Sequence, residues 1–96
     1  MSPKKQIELK KLRNKLDKLD NSFIKLIKKR TDLVKKVLKL KKYKNQIIDK
    51  KRIKVILSKV KRKSIKNKID PKITNRIWIN MIRAYIDYEK RNFKKK

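Results

Sequence analysis

Leu9, Leu12, Leu16, Leu19, Phe23, Leu26, Arg30, Leu33, Val37 and Leu40 follow one another at alternating steps of three and four. That spacing returns every side chain to one stripe of an α-helix, whereas a strand alternates faces at each residue and cannot hold it. Mostly polar residues fill the intervals, and neither glycine nor proline interrupts them. The spacing predicts one helix over about residues 5–42. At 1.5 Å per residue this helix is roughly 55 Å long. A compact monomer of this size is only about 30–35 Å across. The helix would overhang its own domain and leave the seam wet, so the sequence predicts a homodimer in which two long helices pack together. One position breaks the stripe: Arg30 stands where a leucine belongs.

The remainder reads as two shorter helices. KYKNQIID (42–49) breaks the seam and reads as a loop ending on Asp49, an N-cap. A second helix over about 50–65 carries Ile53, Ile56, Leu57 and Val60 at helical spacing. RKSIKNK (62–68) is polar and reads as the next loop. Asp70-Pro71 is a helix start, a cap followed by proline at the first helical position. The third helix is predicted over 71–92, with stripes Ile73, Ile77, Met81 and Trp78, Ile82, Tyr85. Glu89 extends the second stripe by one step, and FKKK (93–96) reads as a frayed end. The expectation is all-α: a three-helix protomer, one domain over 1–96, no internal repeat.

Composition removes whole classes of chemistry. The chain has 96 residues and contains no cysteine, histidine or glycine. There is no disulfide framework, no histidine base for a nucleophilic hydroxyl, and no glycine-rich phosphate loop. No metal or cofactor is expected. No apolar run approaches a membrane span, and MSPKKQIELKK lacks the apolar core of a signal peptide, so the cytoplasm is the expected compartment. The net charge of +27 invites a nucleic-acid reading. Abundant Lys, Ile and Asn beside a single alanine, Ala84, is also what an A/T-rich coding sequence writes. Either way the field attracts anions.

Two charged residues therefore need explaining, Arg30 in the first stripe and Glu89 in the last. A buried lone charge costs several kcal/mol, so each should have a partner. One reading is a buried ion pair, or an arginine whose stem packs while its head reaches water. The other is a polar pocket in which the charges wait for a ligand.

A wider pattern bears on that choice. LRNKLDKLDNSFIKLIKKRTDLVKKVLKLKK (12–42), IIDKKR (47–52) and IDPKITNRIWINMIRAYIDYEK (69–90) resemble the all-helical chorismate mutase family. The family's L-R-x-x-L-D-x-L-D is matched by Leu12, Arg13, Leu16, Asp17, Leu19 and Asp20. Its later arginine and lysine fall on Arg30 and Lys41, and its D-x-x-R on Asp49 and Arg52. The resemblance covers about residues 9–90. It implies an intertwined homodimer and the rearrangement of chorismate to prephenate, a shikimate-pathway step toward phenylalanine and tyrosine. It implies that Arg13 reaches a substrate carboxylate in the partner's site and that Arg30 holds a carboxylate within its own chain. Lys41 would bond a carboxylate and the ether oxygen of the breaking bond. Asp49 would meet the ring hydroxyl region, with Arg52 adding positive potential. Glu89 would face the ether oxygen, and Tyr85 would stand where a smaller hydroxyl residue is common. Two departures are visible. Ile53 replaces the glutamate usual after the D-x-x-R arginine and cannot accept a bond from the substrate hydroxyl, and the loop before Asp49 is about one residue shorter than in some members. The chain ends soon after the third helix, so no fused regulatory or dehydratase domain is expected.

The inventory suits that reaction. A unimolecular pericyclic shift needs no nucleophile, metal or histidine. Arginine recognises planar carboxylates in bidentate fashion, and pinning both carboxylates of a dianion selects the folded reactive conformer. Negative charge grows on the ether oxygen as its bond to carbon breaks, so donors there favour the transition state. Lys41 can donate as it stands, Glu89 only when protonated. Three alternatives remain: an isochorismate pyruvate-lyase on the same fold, a basic helical nucleic-acid-binding protein, and a plain coiled-coil module. Against nucleic acid, the lysines are spread over all helices and aromatics do not alternate with them as a stacking platform requires. The coiled-coil reading leaves Arg13, Arg30, Lys41, Asp49 and Arg52 unexplained.

Overall fold

The computed structural model describes residues 1–95. Three α-helices follow in order, α1 (Pro3–Leu40), α2 (Lys50–Lys66) and α3 (Pro71–Asn92), with a short 3-10 turn at Lys44–Gln46 between the first two. Among the described residues there is no strand. The chain divides into two units, one covering 1–33 and the other beginning at Val34.

The first unit is helical from Pro3 onward. Ser2 Oγ accepts from Lys5 N at 3.3 Å and Ser2 O from Gln6 N at 2.9 Å, with Pro3 at the first helical position. The helix thus begins about two residues before the predicted start. No residue of α1 is buried. Leu12, Leu16, Leu19, Phe23, Leu26 and Leu33 are 50–64% exposed, so the predicted seam exists and lies open on the chain. Lys28 Nζ meets Asp32 Oδ1 at 2.8 Å one turn on, an exposed pair that adds little stability.

In the second unit α1 ends at Leu40, just short of the predicted 42, which leaves Lys41 beyond the helix. Asp49 caps α2 by accepting from Arg52 N at 3.0 Å, and Asp70 caps α3 by accepting from Lys72 N at 2.9 Å, with Pro71 behind it. The third helix runs over the predicted 71–92. Phe93, Lys94 and Lys95 lie outside it, and the last lysine of FKKK lies outside the described residues.

The reading of 62–68 as a loop is corrected: α2 continues to Lys66. Arg62, Lys63 and Lys66 are exposed, so the polarity marks the outer side of a helix. Its inner side holds Ser64, 3% exposed, whose hydroxyl donates to Val60 O at 2.6 Å or shares a 2.6 Å bond with Thr74 Oγ1 of α3. α2 and α3 pack against each other through this side.

With no glycine available, α2 closes on a lysine. Lys68 takes φ 56°, Lys68 N bonds Ile65 O at 3.1 Å, and Ile69 N bonds Ser64 O at 2.9 Å. These are the paired bonds of a Schellman ending, whose left-handed residue is usually glycine. That conformation costs a side-chain-bearing residue roughly 1–2 kcal/mol, of which glycine's larger unfolded-state entropy returns part. Lys68→Gly is therefore expected to stabilise the protein by about 1 kcal/mol, read as a higher urea midpoint at constant slope. An unchanged midpoint would mean the lysine is not strained there.

Candidate active site

The second unit has three buried residues among those described: Ile47 at 3%, Ser64 at 3% and Glu89 at 5% exposure. Glu89 sits on α3 one turn after Tyr85, on the stripe begun by Trp78 and Ile82. Burial in that apolar stripe demands a counter-charge, and Lys41 supplies it. Lys41 Nζ meets Glu89 Oε1 at 3.0 Å, with side-chain exposures of 18% and 7%. Lys41 Nζ also donates to Ile47 O at 3.4 Å. An ammonium carries three protons. Two of them are directed into the protein by these partners.

Lys41 is held from behind. Its backbone N–H bonds Leu38 O at 3.1 Å, in the last turn of α1. The connector then turns on Gln46, whose Oε1 accepts from Lys42 N at 2.7 Å and Tyr43 N at 2.8 Å. Gln46 N bonds Tyr43 O at 3.0 Å and Ile47 N bonds Lys44 O at 3.2 Å. The turn brings the start of the connector, Lys41, to the carbonyl near its end, Ile47.

At the start of α2, Asp49 and Arg52 meet through the capping bond, and both side chains are exposed. Asp49 thus has a structural use of its own as a cap, a bond that takes only the backbone of Arg52. Ile53 is half-buried in the following position, and Tyr85 is half-buried on α3. Lys41, Gln46, Ile48, Asp49, Lys50 and Lys51 line a shallow depression there. Arg13 and Arg30 belong to the first unit, Arg13 exposed and Arg30 half-buried. Sequence reasoning missed Gln46 and Ile47. Ile47 contributes only a carbonyl, which no motif records. Gln46 stands three residues after Tyr43, the spacing at which a side chain reaches back to a turn's first N–H, and that spacing is its only mark in the sequence.

These features define a class first: an all-α protein with one long helix and two short ones, whose polar interior pairs an ammonium from the first connector with a carboxylate from the last helix. Chorismate mutase type II is the family whose model matches, over residues 12–90, and the chain belongs to that family. No curated protein and no solved structure gives a match. No helix among the described residues is long and apolar enough to cross a membrane.

Proposed function

We propose that the protein rearranges chorismate to prephenate, acting as a homodimer in aromatic amino-acid biosynthesis. The observation that carries the reading is Lys41 paired with Glu89 at 3.0 Å in a member of the chorismate mutase type II family. Arg30 holds one substrate carboxylate, and Arg13 of the second copy holds the other. Lys41 donates its remaining proton to the ether oxygen, where charge grows as the bond to carbon breaks. Asp49, Arg52 and Tyr85 border the ring. No proton or electron pair leaves the substrate, so the chain's contribution is orientation and charge.

The open seam supports the dimer. Leucines and a phenylalanine left half exposed along one helix form the kind of apolar surface that a second copy covers. Sedimentation is expected to give a mass near twice the 11.8 kDa chain. A monomer at micromolar concentration would remove the partner's Arg13 from the site.

Glu89 has two parts in this reading. As a carboxylate it accepts from Lys41 and holds the ammonium in place. Protonated, it becomes a second donor for the ether oxygen. Glu89→Gln keeps an acceptor for Lys41 and adds a neutral amide donor at the same reach, so it is expected to retain turnover if Glu89 serves as the second donor. Turnover lost in Glu89→Gln would confine Glu89 to holding Lys41 as a carboxylate. The reaction is tested directly by following chorismate loss with purified protein and identifying the product. Prephenate is expected. Loss of pyruvate from isochorismate, with chorismate untouched, would make the protein a lyase instead.

A further inference from the structure

We infer that Gln46 is a positioning residue for Lys41, acting on the reaction without touching the substrate. This rests on the proposed chorismate chemistry of Lys41. The connector between α1 and α2 has no glycine to make its turn, and Gln46 makes it with a side chain. One oxygen, Oε1, accepts from two successive backbone N–H groups, Lys42 at 2.7 Å and Tyr43 at 2.8 Å. Both donors are main-chain N–H, so the amide oxygen and not the amide nitrogen must face them.

The bonds tie the backbone immediately after Lys41 to the backbone immediately before Ile47. Those two residues are the ones that meet through the Lys41 ammonium and the Ile47 carbonyl. Gln46 thereby fixes where the ammonium sits relative to Glu89, on a segment that lies outside any α-helix. Gln46, Lys42 and Tyr43 are all exposed, so water satisfies the N–H groups if the side chain is removed. The cost of losing Gln46 then falls on placement more than on stability, and displacement of a reacting group by about 1 Å can cost 10²-fold in rate.

The test is a cycle of variants in the chorismate assay. Gln46→Ala is expected to lower kcat by about ten- to a hundredfold, with a smaller change in KM and little loss of helical signal. Gln46→Glu keeps an oxygen at the same reach and is expected to restore most of the activity. Gln46→Asn, one methylene too short, should resemble the alanine variant. In a Lys41→Met background, Gln46→Ala is expected to have no further effect, because the residue it positions is gone. Additive losses, or a fully active Gln46→Ala, would overturn the inference while leaving the chorismate reading intact. Unfolding of both the Ala and Asn variants would make Gln46 a folding residue and overturn it as well. A wild-type protein without chorismate turnover would overturn both.

Discussion

Lys41→Met is expected to lower kcat/KM for chorismate by about 10²–10³-fold, or ~3–4 kcal/mol of transition-state stabilisation, the scale of one preorganised donor at a site of developing charge. Methionine keeps the length and apolar body of the stem and removes the charge. The substitution also strands Glu89, whose side chain is 7% exposed. Removing one partner of a fully buried pair costs on the order of 3–5 kcal/mol, and the 18% exposure of Lys41 places this case lower, at roughly 2 kcal/mol. The two effects separate in the double variant. Adding Glu89→Gln removes the stranded charge, so thermal stability should return toward wild type while turnover stays low. If turnover returns with stability, the pair serves folding alone. If Lys41→Met retains activity, the ammonium is not the donor.

Arg30→Ala is expected to cost about 10³-fold in kcat/KM, roughly 4 kcal/mol, with a smaller effect on the melting temperature. Arg30 occupies a seam position of α1 and is half-buried there. In the proposed reaction its guanidinium meets a substrate carboxylate during turnover. Arg30→Lys is not a conservative exchange, because a lysine cannot form the bidentate contact, and it should lose most of the same activity. A variant that melts far lower but turns over normally would make Arg30 a structural cation.

The contrast between helices explains how far the sequence could be read. α3 was legible to its ends because Asp70 and Pro71 fix its start by mechanism: an acceptor for free N–H groups, then a residue that lacks one. The same device opens α1 at Ser2 and Pro3, but the apolar stripe begins only at Leu9, and periodicity drew the start too late. Residues 62–68 were misread because a helix bearing Arg62, Lys63 and Lys66 on its outer side is as polar as a loop. At the site, the need of Glu89 for a counter-ion followed from its apolar stripe. Its identity did not follow from spacing, since Lys41 lies 48 residues away in sequence. Resemblance to the family singled out both residues, yet the bond between them and the turn on Gln46 needed coordinates. The seam of α1 lies open along the single chain, so its periodicity marks an apolar surface without naming what covers it.

The caps and ion pairs also say where the information in this chain resides. It holds 35 basic residues and 8 acidic ones. Asp49 and Asp70 start helices, Glu89 holds the Lys41 ammonium, and Asp32 and Asp87 pair with a cation one turn away. Most exposed lysines have no such assignment, and one can be exchanged for arginine or glutamine with little consequence for the fold. A saturation library scored for folded, active protein should therefore be lopsided. Tolerance would be broad across the exposed lysines and narrow at Lys41, Asp49, Asp70 and Glu89, so that the rarer charge in the chain is the one least free to drift.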